Sequence, residues 1–156
     1  MNNEAKKKFR DELAEKFTHL LEQKQLNWTQ GWQSANMTPP FNIATQNQYK
    51  GINRFTLTLT SMINGYDDPR WATMIQIQDK NEIYHKGEKW HLKAGSHGTK
   101  VEYWYPFDYE HHKPLTWDQY KKELKNGRER SEFLFYPKYF TVFNASHIDG
   151  IAPFEK

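Results

Sequence analysis

Histidines, acids and glycine turns are the residues most able to do chemistry in this chain, and their spacing argues against it. His85, His91 and His97 recur at even intervals, but the interval fits neither a helix face nor the usual spacing of zinc ligands. There is no cysteine, so neither a thiolate metal site nor a disulfide framework can form. No His-Glu-x-x-His pair occurs, and His111-His112 beside Lys113-Pro114 reads as an exposed loop. Asp108, Glu110 and Asp118 are neighbours in sequence, yet paired-carboxylate chemistry needs them to meet in space. Gly95-Ser96-His97-Gly98 is glycine-rich but lacks the Gly-Lys-Ser/Thr ending of a phosphate loop. The expectation is a protein that is not an enzyme, with no catalytic residue, metal or cofactor.

The parts for binding are better placed. From Gln23 to Tyr66 there is no carboxylate, while Lys24, Lys50 and Arg54 supply positive charge. Aromatic faces, amides and unopposed cations are what stack bases and hold a phosphate backbone. Tyr49, Trp71, Trp104 and Tyr139 are candidate stacking rings. With ten Phe, nine Tyr and six Trp, however, most rings must serve as core, and packing is the competing reading for each. Asn42, Asn53, Thr73 and Gln76 can read base edges or hold phosphate oxygens; capping and turn-making are their alternative uses. Lys86, Lys93 and Lys100 lie on or near glycine turns, where a cation can approach a backbone closely.

At 156 residues the chain suits one domain with a real core. The net charge of +3 is too small for a polycation and argues against a DNA mimic, which needs a dense negative surface. Acids gather near the first helix, at Asp67-Asp68 and from Asp108 to Glu132, whereas Gln23–Tyr66 and Lys89–Lys100 have none, so these two stretches could converge on one positive face. The N-terminus lacks the apolar region of a signal peptide and no apolar run approaches spanning length, so the expectation is a cytoplasmic protein with no membrane partner.

The elements that must position these residues follow from periodicity. Phe9, Leu13, Phe17, Leu20 and Leu21 form one stripe of a long amphipathic helix from about Asn3 to Gln25. Trp28, Gly31 and Trp32 fall in a connection, and Pro39-Pro40 excludes helix there. Ile52–Ile63 fits either strand or helix; Asn64-Gly65 as a left-handed stop tips the reading to helix. Asp68 as N-cap and Pro69 as first residue predict a helix over Pro69–Gln78. Lys89–Lys93 and Thr99–Phe107 read as strands, Thr116-Trp117-Asp118-Gln119 as a capping box opening a helix that closes near Asn126-Gly127, and Phe133–Phe143 as a last strand broken or edged by Pro137. The fold class expected is α+β: a small, mainly antiparallel sheet flanked by helices, with a long N-terminal amphipathic helix.

Pro40-Phe41-Asn42, Tyr49-Lys50-Gly51-Ile52-Asn53, Tyr66 with Pro69-Arg70-Trp71-Ala72-Thr73 and Gln76, and Tyr139-Phe140-Thr141-Val142-Phe143-Asn144-Ala145 with Ile148-Asp149-Gly150 resemble the N-terminal domain of the ArdC antirestriction proteins. Lys93-Ala94-Gly95 through Gly98-Thr99-Lys100-Val101 is similar to that family's glycine-lysine turn, which more usually reads lysine-glycine-glutamate-lysine-glycine. The resemblance runs over about residues 40–151. It implies a domain that binds single-stranded DNA with little sequence preference, in conjugative plasmids and other mobile elements. The domain would stand ahead of a metallopeptidase or primase, as an excised piece or a stand-alone version. Carried over by position, the family's recurring polar and aromatic residues fall on Asn42, Tyr49, Asn53, Trp71, Thr73, Gln76 and Asn144. On this reading Lys50, Arg54, Lys93 and Lys100 would neutralise phosphates. The alternative implied is a protein-interaction module that regulates the fused domain.

Overall fold

The computed structural model describes residues 3–24, 38–78 and 89–155. The expected connection at Trp28, Gly31 and Trp32, the acid-free residues 25–37 and the turn at Lys86 lie outside them. Helix α1 is Asn3–Lys24, close to the predicted span, and buries Phe9 against the Tyr139 ring, centroids 5.2 Å apart.

The ambiguous segment is helix α2, Gly51–Asn64. Its strand-like alternation has a physical cause: Thr56, Leu57, Thr58, Leu59 and Thr60 are all buried. The hydroxyls of Thr56 and Thr60 donate to the carbonyls of Ile52 and Thr56 at 2.7 and 2.8 Å, so threonine can be buried inside this helix without an orphaned donor. Gly65 ends it at φ 71°, and the amide of Tyr66 returns to the Ser61 carbonyl at 2.9 Å.

The predicted helix over Pro69–Gln78 is corrected. Arg70–Thr73 is strand β2, and only Met74–Gln78 is helical (α3). Asp68 does not cap a helix: its carboxylate accepts from the backbone and the guanidinium of Arg70, at 3.0, 2.9 and 2.7 Å. The effective cap is Thr73. Its Oγ1 accepts from the Gln76 amide at 3.2 Å while Gln76 Oε1 accepts from the Thr73 amide at 2.9 Å, a reciprocal capping box that starts the helix later.

Strands β1 (Phe41–Asn42), β2, β4 (Thr99–Asp108), β5 (Lys113–Pro114) and β6 (Phe133–Asn144) form one sheet in the order β1-β2-β6-β4-β5. Only the β1–β2 pair is parallel. Its spine is the β4–β6 ladder, in register from Thr99 opposite Val142 to Asp108 opposite Phe133. Pro137 stands opposite Trp104, and β2 pairs with Val142–Asn144, so the missing proline donor falls on the part of the edge that β2 does not cover. The strand expected over Lys89–Lys93 is shorter: β3, His91–Leu92, pairs with β7, Ile148–Asp149, as a separate two-stranded sheet.

The capping box at Thr116 is present and opens helix α4, Trp117–Lys125. Tyr49, Leu57, Trp71, Val101 and Val142 form the core between α2 and the sheet. Ala72, Ile77, Trp90 and Ile148 form a second cluster, and Leu115, Tyr120 and Phe133 a third beneath α4. At that end Arg128 grips buried Asp108 with bonds of 2.6 and 3.0 Å. This fork, with the bonds from His111, outweighs burial and holds the Asp108 carboxyl well below the usual range. The architecture is α+β, a mostly antiparallel sheet with an N-terminal helix.

Candidate nucleic-acid interface

An open groove of about 960 Å³ runs between the residue 45–50 loop, the start of α2 and the β4–β6 ladder. Asn42, Tyr49, Lys50, Asn53, Thr73 and Gln76 from the sequence reading all line it. Segments distant in the chain thus meet at one place, because β1 pairs with β2 and α2 lies along β4.

The amides in this wall are engaged with each other. Asn42 Nδ2 donates to Gln76 Oε1 at 2.9 Å and to the Tyr49 hydroxyl at 3.2 Å, and Gln76 Nε2 returns to Asn42 Oδ1 at 3.2 Å. Asn42 Oδ1 also accepts from the amides of Ala44 and Thr45, both at 3.0 Å, which fixes the loop. Burial pushes the Tyr49 hydroxyl up to about 12 although the Asn42 bond pulls the other way, so it is a neutral phenol at physiological pH.

Asn53 does not cap α2; its side chain holds the outer edge of β4. Nδ2 donates to the Glu102 carbonyl at 2.8 Å and Oδ1 accepts from the Glu102 amide at 2.7 Å, supplying what a further strand would supply.

Other residues from the sequence reading lie elsewhere. Trp71 is 1% exposed at the centre of the core, so its ring is a packing group and the stacking role expected of it is corrected. Asn144 is fully buried, donating to the Asp68 carbonyl at 2.8 Å and accepting from the Ser146 amide at 3.0 Å. Tyr139 is tied to Glu102 by its hydroxyl and to Phe9 by its ring. Arg54 and Lys100 are exposed outside the groove lining. Lys93 contacts the Ser146 carbonyl at 3.2 Å and Asp149 at 3.7 Å, beside the β3–β7 pair. The two acid-free stretches therefore do not merge into the groove wall.

Sequence reasoning missed most of the groove's open aromatic surface. Tyr103, Trp104, Trp117 and Phe140 line it at 45, 36, 45 and 39% exposure. Of these the sequence reading singled out Trp104 alone. Tyr103 and Phe140 meet edge to face at 5.7 Å, and the Trp117 indole donates to the Trp104 carbonyl at 3.0 Å, pinning the start of α4 to β4. The Lys6 and Lys138 ammonium groups stand 5.2 Å from the Trp104 and Phe140 ring centres.

Among the described residues the lining contains one carboxylate, Glu102, which lies just beyond the acid-free stretch Lys89–Lys100. It is 5% exposed and saturated: Oε1 accepts from Arg10 at 2.9 Å and from the Trp104 indole at 2.9 Å, Oε2 from Arg10 at 3.1 Å and Tyr139 at 2.7 Å. Burial alone would raise its pKa; the bonds from Tyr139, Arg10 and Trp104 and the Arg10 charge outweigh burial and hold it low. Arg10 compensates this charge, and among the described residues Lys50 is the cation of the lining. No group of three or more potential metal ligands gathers among the described residues, and no described helix is long and apolar enough to cross a membrane.

An α+β domain with a cation-flanked aromatic groove is the class this geometry defines. Residues 7–143 match the N-terminal domain of anti-restriction factor ArdC, and the chain belongs to that family. Two proteins described as DNA primase TraC from Escherichia coli are each 32% identical to it, over 98 and 99% of this chain but only 14 and 10% of their own lengths. An uncharacterised protein, y4eC, of Sinorhizobium fredii is 27% identical over 75% of the chain, which spans 33% of that relative. The metal-free crystal structure of the antirestriction protein ArdC from plasmid R388 superposes with a TM-score of 0.49 at 23% identity, covering 74% of this chain and 34% of that one. Its manganese-bound form gives 0.47 at 25% identity, covering 74% and 32%.

Proposed function

We propose that this domain binds single-stranded DNA in the groove, with little sequence preference, and holds the strand for a catalytic region, such as a primase or metallopeptidase, in a longer mobile-element protein. The observation that carries this reading is the gathering of Tyr103, Trp104, Trp117 and Phe140, all solvent-open, in one groove with Lys50 at its wall and Lys6 and Lys138 over the rings. Unpaired bases offer faces to such rings; a duplex keeps them stacked inside. The amides of Asn42 and Gln76 serve the reading as architecture, because their hydrogen-bonding capacity is largely spent on one another and on the loop.

Substituting the exposed rings tests the proposal. A good base–ring stack is worth about 1–3 kcal/mol, or about 5- to 150-fold in affinity. Tyr103→Ala, Trp117→Ala and Phe140→Ala should each weaken binding of a fluorescent single-stranded oligonucleotide. Variants that stay folded and all bind as tightly as the parent would remove the groove from the account.

A further inference from the structure

We infer that Glu102, though negatively charged, is a positioning residue for DNA binding: its carboxylate, anchored by Arg10 of α1, fixes the Trp104 indole as a stacking platform. This deepens the proposed function and rests on it. A carboxylate is a poor choice for the wall of a groove meant for a polyanion, and its presence needs a reason. The geometry supplies one. Every hydrogen bond to the side chain is short and directed: Arg10 to both oxygens at 2.9 and 3.1 Å, Tyr139 to Oε2 at 2.7 Å, and Trp104 Nε1 to Oε1 at 2.9 Å. The main chain of the same residue is held on both sides by Asn53 at 2.7 and 2.8 Å. Glu102 is therefore held from every side, and among the described residues the groove ring it touches through a polar bond is Trp104, whose own main-chain carbonyl is held by Trp117 at 3.0 Å.

An indole at the surface of a strand would otherwise move among rotamers, and a base stacking on it would have to freeze that freedom. Here the N–H is tied before the ligand arrives. The cation that neutralises the carboxylate comes from α1, as does Lys6, whose ammonium lies 5.2 Å from the same ring. Helix α1 thereby becomes part of the binding site rather than a remote appendage.

The sign of a charge change separates positioning from electrostatics. Glu102→Gln removes a negative charge from the groove, so field effects alone make single-stranded DNA bind more tightly. Positioning makes it bind more weakly, by about 5-fold or more: four donors converge on two oxygens, the amide offers one and turns an NH2 toward the rest, and with the cluster loosened part of the 5- to 150-fold worth of a stack is lost. Glu102→Asp keeps the charge but withdraws the acceptor by one methylene; positioning again predicts weakening, and electrostatics predicts no change. Trp104→Phe cuts the same bond from the other side, leaves Glu102 and Arg10 intact, and in that background Glu102→Gln should change affinity less than about 2-fold. Affinities come from fluorescence anisotropy of an oligothymidylate, with circular dichroism establishing which variants are folded. Wild-type binding weakened by Trp104→Ala, with Glu102→Gln and Glu102→Asp at or above wild-type affinity, overturns the inference and leaves the groove reading intact. Should neither Glu102 variant fold, Trp104→Phe alone decides: affinity within about 2-fold of wild type overturns it. Absence of any wild-type binding instead refutes the proposed function itself.

Discussion

Removing the Asn53 amide is the perturbation that best separates architecture from contact in this groove. Asn53 is 5% exposed, and its side chain holds both the N–H and the C=O of Glu102 at 2.7 and 2.8 Å. In Asn53→Ala each lost bond is worth about 1 kcal/mol net, and a strand-edge group left dry costs about 1–3 kcal/mol, so the range expected is about 2–5 kcal/mol. For a chain of this size that lowers the melting temperature by about 4–20 °C. Asn53→Asp is no rescue: it still accepts from the Glu102 amide but has no donor for the carbonyl, and it buries a charge. Urea denaturation with a constant slope measures the loss. A destabilisation under about 1 kcal/mol, with single-stranded DNA affinity falling more than about 10-fold, would refute the edge-holding role and make Asn53 a ligand contact.

Trp71→Ala should cost about 3–5 kcal/mol, as for other large core rings, in chemical denaturation; its effect on DNA affinity should vanish once the folded fraction is accounted for. Gln76→Ala removes the side-chain half of the α3 capping box and the Asn42 pair, while the Gln76 amide keeps Thr73 Oγ1, and should cost about 1–3 kcal/mol by the same measurement. The carboxyls of Asp108 and Glu102 are held below their unfolded range, so their contribution is complete above about pH 4–5 and fades as pH falls through and below that range; Arg128→Met should move the acid-unfolding midpoint, followed by circular dichroism, upward. Gly150 sits at φ 89° with any added Cβ against the Lys89 carbonyl, whereas Gly127 at φ 97° has open space, so Gly150→Ala should destabilise more than Gly127→Ala in thermal melts.

What was legible in the sequence follows from which signals are local. The α2 stop at Gly65, the Thr116 capping box and the long strands at Thr99 and Phe133 are set by a few adjacent residues, and each formed where expected. Asp68-Pro69 misled because its carboxylate had a stronger claimant in the Arg70 guanidinium, while the Thr73-x-x-Gln76 box that starts α3 was equally readable and was not weighed. The groove-lining polar residues were identified, but not what they do: hydrogen-bond capacity is visible in sequence, and whether it is already spent on a neighbour is not. Ring exposure was hidden for the same reason. Trp71 and Trp104 are equally aromatic, and only the packing of α2 and the sheet buries the first and leaves the second open.

The central claim, that the aromatic groove takes an unpaired strand, is tested most directly by anisotropy titration of the same oligonucleotide as a single strand and as a duplex across a salt series. Saturable binding that favours the single strand is expected, with a log–log salt slope of about −0.7 for each phosphate neutralised and a shallower slope for Lys50→Ala. No saturable binding at low salt, or a duplex bound as tightly as the single strand, would contradict it.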